Sequence, residues 1–153
     1  MSRFRYTIRK AERADVDQLI RLSKLWAVEG CTRGYPAFDK GGDRPEKWFT
    51  SGYIWVAELG DTIVGFVAGV AKIGHGQPFN SDGERYLHIH EVYVEPGHRG
   101  DGVGSCLVEA ILSNAKSDGI QRSLVASGNV DWENTYRFYA RHGFQMLSMQ
   151  MYL

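Results

Sequence analysis

Apolar residues recur along this chain in two rhythms, and the change from one to the other marks the elements. Tyr6 to Arg9 reads as a short first strand. Val16, Leu19, Ile20, Leu22 and Trp26 then form one apolar face of a helix running toward Glu29. Asp15 stands at its N-cap position, with Gln18 at capping-box spacing. After a glycine-containing loop from Cys31 to Gly42, Asp43 and Glu46 repeat that spacing. Pro45 falls in the first turn, which predicts a short helix carrying Trp48 and Phe49. Tyr53 to Leu59 and Thr62 to Ile73 are strand-like, and the Gly60-Asp61 link between them predicts a hairpin. A polar loop from Gly74 to Gly83 precedes a third long strand, Arg85 to Val94, which Pro96 stops. Val103, Leu107, Ile111 and Ala115 return at fourfold spacing, so a helix is expected from Gly102 to Asp118. A strand at Ser123 to Ala126 follows. A helix from Asp131 to His142 with Gly143 at its C-cap comes next, and a closing strand spans Phe144 to Tyr152.

The resulting order, β-α-α-β-β-β-α-β-α-β, implies an α/β fold with a mixed central sheet flanked by helices. At 153 residues the chain is expected to form a single domain, 1–153, with a core of ordinary size. Eighteen basic and eighteen acidic residues cancel, leaving no basic excess to neutralise a nucleic-acid backbone. The longest apolar stretch, Ile63 to Ala71, is broken by glycines and is far short of the roughly 20 residues a membrane span needs. No apolar segment of the secretory type follows Met1. Cys31 and Cys106 are too few for a disulfide framework and read as reduced thiols in a cytoplasm, Cys106 as a small core residue.

The chemistry concentrates between the third long strand and the helix after it, where residues 99–104 read Arg-Gly-Asp-Gly-Val-Gly. A glycine-rich turn that opens a helix leaves several N–H groups unpaired at the positive end of the helix dipole, a ready anion site. It is not a Walker A loop, because Gly104-Ser105-Cys106 lacks the lysine. It is not a dinucleotide fingerprint either, because the third glycine comes one residue early. The pattern that fits is Arg/Gln-x-x-Gly-x-Gly/Ala, filled by Arg99, Gly100, Asp101, Gly102, Val103 and Gly104. Together with Glu-Val-Tyr-Val-Glu-Pro-Gly-His ahead of it and Arg-Phe-Tyr-Ala-Arg-His-Gly-Phe at 137–144, this resembles the GNAT superfamily of acyl-CoA-dependent N-acetyltransferases. The resemblance covers nearly the whole chain and is strongest from Leu87 onward.

The resemblance implies the GNAT fold, acetyl-CoA as co-substrate and no metal. The coenzyme pyrophosphate would rest on the amides of Arg99 to Gly104, where glycine admits a ligand that a Cβ would block. Its pantetheine arm would pair with the backbone of Val92 and Val94, and the Val94 N–H would serve as oxyanion donor. Tyr139 takes the place of the family's general acid; its alternative is a core aromatic beside Tyr136 and Phe138. For the base, His90 or Glu91 comes first with His88 in support. Strand alternation puts the two histidines on one face and Glu91 on the other unless a bulge intervenes. The His-x-His pair is similar to that of serotonin N-acetyltransferase. Two strand histidines without a third ligand do not make a zinc site. Asn129 and Asn134 lie where the family carries an asparagine that contacts the coenzyme or shapes the helix start. At the family's usual position for that asparagine this chain has Trp132. His75 and His98 are expected to face solvent.

In the family, acceptor choice comes from the first two helices and the loop before the central strand, here Trp26 to Trp48 and Gly74 to Glu84. Trp26, Glu29, Tyr35, Phe38, Asp39 and Phe79 give these segments an aromatic and acidic character that suits a cationic amine. The partner expected is therefore a small-molecule or peptide amine, with neither nucleic acid nor membrane. A non-catalytic acyl-CoA-binding regulatory module would keep the glycine turn but would need neither Tyr139 nor the His/Glu cluster. The apolar segment Met146 to Tyr152 allows a homodimer.

Overall fold

The computed structural model describes residues 5–38 and 43–153, apart from the side chains of Asp43 and Ser51. Five strands form one sheet in the order β1-β2-β3-β4-β5: β1 Thr7–Lys10, β2 Ile54–Leu59, β3 Thr62–Ile73, β4 Arg85–Val94 and β5 Arg122–Val125. The first four pair antiparallel in sequence, whereas β5 lies parallel to β4. That change follows from the crossover through helix α3, Val103–Ser117, because a parallel neighbour needs a long return connection. The other helices are α1 Val16–Glu29, α2 Asp43–Ser51 and α4 Trp132–Arg141, with single 3-10 turns at Arg13–Asp15 and Pro96–His98. None of the described helices is long and apolar enough to cross a membrane.

The sheet has an apolar layer on each face, as its long antiparallel strands require. On one face α3 buries Val103, Leu107, Ile111 and Ala115 against Val64, Val67, Leu87 and Ile89. This is the fourfold stripe expected from the sequence, although Cys106 beside it is only half-buried. On the other face α1 and α2 bring Leu19, Leu22, Trp26 and Trp48 onto Val56, Phe66 and Ala68. Side-chain bonds to backbone then fix α1 on the sheet. Gln18 accepts from the Ile63 N–H at 2.7 Å and donates to the Asp61 carbonyl at 3.2 Å, bracing the β2–β3 hairpin. Arg21 donates to the Ile63 carbonyl at 2.6 Å and pairs with Glu95 at 2.7 Å.

Two expectations need correction, and a third falls on a side chain outside the described ones. Asp15 and Gln18 do not form a capping box. The Asp15 carboxylate instead receives both Arg9 terminal nitrogens, at 2.8 and 2.9 Å, and the Glu12 N–H at 2.7 Å. Two charge-assisted bonds outweigh one cap. Glu46 likewise pairs with Arg13 at 2.7 Å, and its expected partner Asp43 lies outside the described side chains. The closing strand is absent as well: residues 144–153 join no described strand, and Met146, Met149, Met151 and Tyr152 are exposed. Before that point α4 ends as expected. Gly143 takes φ +87°, and the Gly143 and Phe144 N–H groups close a Schellman motif onto Ala140 and Tyr139 carbonyls.

Candidate active site

Strands β4 and β5 pair only from Tyr86–Arg122 to Ile89–Val125, so β4 continues beyond its parallel neighbour. Just past that point β4 carries a bulge. Ala68 faces Glu91 and Gly69 faces Ile89, which leaves His90 without a cross-strand partner. Glycine permits this close approach, since a Cβ on Gly69 would lie 2.6 Å from the His88 carbonyl oxygen. Further along, the Glu95 N–H donates to Val64 O at 2.8 Å. By alternation Val92 and Val94 therefore turn their backbone groups to the open side of β4. Arg99 Nε, donating to Val94 O at 2.7 Å, marks that direction.

A cleft of about 1200 Å³ fills the gap, walled by Val92 to Val94, by Val125 to Asn129 and by α4. Its far wall is tied to the loop after α1. The Arg33 N–H donates to Gly128 O at 3.0 Å and the Val130 N–H to Cys31 O at 2.9 Å, on either side of a Thr32–Asn129 bridge. At one end lies the glycine turn. Gly100 and Gly102 adopt left-handed φ values of +87° and +80°, and no side chain caps the start of α3. The first-turn amides of a 15-residue helix thus face the cleft. Gly104 lets α4 approach, with the Phe138 ring 3.5 Å from where a Cβ would stand.

Two side chains of the turn are engaged elsewhere. Arg99 grips Glu29 with its two terminal nitrogens, at 2.5 and 2.8 Å. Asp101 points away from the cleft toward β1, accepting from Tyr6 O–H at 3.3 Å and pairing with Arg5 at 3.5 Å. His98 is half-buried with its Nδ1 3.2 Å from Tyr6 O–H rather than facing solvent, whereas His75 is exposed.

Near the middle of the cleft sits Glu91, 5% exposed. The bulge brings it to the same face as His88 and His90, so the simple alternation does not hold here. Burial pushes its carboxyl up to about 7, while the Tyr35 hydroxyl and the Arg44 guanidinium pull the other way. Tyr35 O–H donates to Glu91 Oε2 at 2.8 Å, and Arg44 lies 3.3 Å from Oε1. Arg44 also covers the Phe38 ring at 4.6 Å and donates to the Pro36 carbonyl. The Tyr35 ring stacks on Trp26 at 3.9 Å between centroids, and Trp26 stacks on Tyr93 at 5.1 Å. Tyr93 O–H donates to Glu29 at 2.9 Å, which returns the chain of contacts to Arg99. One continuous scaffold thus joins the buried carboxyl to the glycine turn.

His88 and His90 lie with ring centroids 4.2 Å apart. Burial together with the neighbouring His90 and Lys72 charges holds His88 down at about 4, and its Nδ1 is buried without a partner. Desolvation and the charges of Lys72 and Lys47 also lower His90, which lines the cleft while His88 does not. Tyr139 borders the cleft between Phe138 and Phe144, and burial raises its phenol above the ordinary range. The two asparagines line the cleft and also bond locally. Asn129 Oδ1 accepts from the Asp131 N–H at 2.8 Å, and Asn134 bonds through its backbone and side chain to the Asp131 carboxylate at the start of α4. Of the two expected acceptor segments only the first lines the cleft; none of residues 74–84 does. Arg44, Lys47 and Lys72, which line the same end, went unremarked in the sequence because isolated cations usually mark a solvated surface.

Residues 50–146 match the model of the acetyltransferase (GNAT) domain. An uncharacterized N-acetyltransferase of Methanocaldococcus jannaschii is 28% identical over 150 residues, covering 92% of this chain and 61% of that protein. A glucosamine 6-phosphate N-acetyltransferase of Trypanosoma brucei brucei is 29% identical over 89 residues, 58% of each chain. The chain thus spans about three fifths of the length of these curated relatives. Among solved structures, a predicted acetyltransferase of Clostridium acetobutylicum with acetyl-CoA shares the fold at a TM-score of 0.71, with 19% identity over 97% of this chain and 95% of that one. The glycine turn, the splayed strands and the match over most of the sequence agree: this chain belongs to the GNAT acetyltransferase family.

Proposed function

We propose that the protein transfers an acetyl group from acetyl-CoA to a primary amine of a small molecule or peptide by direct attack in a ternary complex. The observation that carries this reading is a buried carboxyl raised to about 7, set in a cleft that also holds an uncapped helix start and an unpaired strand edge. The amides of residues 100–104 fit a pyrophosphate, and Val92 and Val94 offer backbone groups for an extended amide-bearing arm. The solved relative with acetyl-CoA supports that choice of donor.

In this reading Glu91 is the base. An alkyl ammonium titrates near 10, so it attacks only after giving up a proton, and a carboxylate near 7 takes that proton directly or through water. His88, held at about 4, stays neutral and is a weak acceptor; His90, closer to the cleft, is the second candidate. The amine lone pair adds to the thioester carbonyl, and the Val94 N–H steadies the oxygen as it gains charge. The carbon–sulfur bond then breaks. Tyr139, kept protonated by burial, gives its proton to the departing thiolate. Arg99 acts through Glu29 and Val94 rather than on phosphate, holding the turn against α1 and β4.

Calorimetry with acetyl-CoA and a thiol-release screen over amines, amino sugars included, test this reading. Coenzyme binding plus acetylation of at least one class supports it. Tight coenzyme binding with no amine modified, and Glu91→Gln and Tyr139→Phe indistinguishable from the parent, would point to a binding module instead.

A homodimer is proposed on separate grounds. β5 is one edge of the sheet, and the exposed, largely apolar segment 146–153 joins no described strand. Pairing between two copies through this segment would cover both.

A further inference from the structure

The cleft's charge is lopsided at the end away from the glycine turn. Arg44, Lys47 and Lys72 line the cleft with His90, and Glu91, itself raised toward neutrality, is the acid that Arg44 meets. Arg44 is committed to Glu91. Among the described residues no carboxylate forms an ion pair with Lys47 or Lys72, and the two line the same cleft from different elements. Lys47 comes from α2, one turn after Arg44. Lys72 shares the α1 and α2 face of β3 with Ala68 and Val70 by alternation. The charge of each acts on His90, and that of Lys72 reaches His88 as well.

Lys72 is too remote to serve the glycine turn. Gly65 faces Val94, the last residue of β4 before that turn, and Lys72 faces Tyr86 at the other end of the same ladder. Seven residues of β3 separate them, about 23 Å at roughly 3.3 Å per residue. Ala68, which faces Glu91, lies between, about 13 Å from Lys72 on the same scale. The order along β3 is therefore glycine turn, Glu91, then Lys72, with Lys47 lining the same cleft from α2.

Resting on the acyl-transfer reading above, we infer that the acceptor is an extended amine carrying an anionic group at its far end, a carboxylate or a phosphate, which Lys47 and Lys72 hold while the amino group meets Glu91. Simple amines lack the anion, and polyamines would set a second cation against two lysines with no paired acid. This narrows the expectation drawn from sequence, in which aromatic and acidic residues suited any cation.

Matched pairs test the inference: 6-aminohexanoate against hexylamine for a carboxylate, and glucosamine 6-phosphate against glucosamine for a phosphate. The anionic member of at least one pair should have a kcat/KM about tenfold or more above its partner, the usual scale for hydrogen bonds to a charged group. The double variant Lys47→Ala/Lys72→Ala should erase that preference through KM, leaving kcat and acetyl-CoA affinity within about twofold. Both lysines are exposed, so the variant should fold, as its melting curve would verify. Equal use of both members of both pairs, or an equal loss on charged and neutral acceptors in the double variant, would overturn the inference. Failure of acetyl-CoA to bind would instead sink the acyl-transfer reading. In that event fluorescence of Trp26 and Trp48, which line the cleft, is titrated with inorganic phosphate and with 6-aminohexanoate. A response lost in the double variant upholds the anion site; no difference removes it.

Discussion

At the scale of single residues, the proposed role of Glu91 as base fixes an expected pH dependence. With its carboxyl near 7, it is mostly protonated at about pH 6 and cannot accept a proton, so kcat/KM should climb through neutrality. Glu91→Gln should flatten that limb and lower kcat by roughly 10²-fold or more. The same shift acts on stability in a direction that can be worked out. The folded state holds this proton more tightly than the unfolded chain, whose carboxyl titrates near 4.5. The residue's contribution is therefore most favourable below that value, declines as pH rises from there to about 7, and is level beyond. Thermal melts from about pH 5 to about pH 8 should show Glu91→Gln gaining on the parent as pH increases. Tyr139→Phe should lower kcat about 10²-fold while leaving acetyl-CoA affinity within twofold, because the hydroxyl is asked only for its proton. The motif named Tyr139 from sequence. Nothing marked Arg44 or predicted that Tyr35 would bond Glu91, since both meet it only after the loop following α1 folds back over the sheet.

At the scale of elements, the bulge on β4 decides which groups share the cleft. Gly69→Ala would drive a Cβ to 2.6 Å from the His88 carbonyl, and should cost about 1–3 kcal/mol in chemical denaturation while weakening kcat through Glu91. The glycine turn is equally local. Gly102→Val forces a β-branched residue to φ +80° at the helix start, and should cut acetyl-CoA affinity far more than it lowers the melting temperature. Periodicity, with cap and turn signals for α2 and the β2–β3 hairpin, located all four α-helices and the first five strands to within a few residues. It could not read the register slip opposite Gly69, whose sequence trace is one glycine inside an apolar strand. Capping spacing misled at Asp15, where Arg9 supplied a stronger partner from β1.

At the scale of the whole molecule, the segment from Phe144 onward has strand composition but pairs with no described strand. Composition reports what a segment can pair with, not where the mate comes from. Light scattering should give about twice the 17.3 kDa chain mass, and deletion of residues 145–153 should return the monomer. The two backbone bonds joining Cys31 and Arg33 to Val130 and Gly128 have a different reach. They hold the loop after α1 against the far wall of the cleft, so that wall keeps its place whether or not the cleft is filled. In the proposed reaction the donor would lie along the α3 side of that wall and the amine on the α2 side. Spent thiol should accordingly compete with acetyl-CoA but not with the amine, and the acetylated product should behave the opposite way.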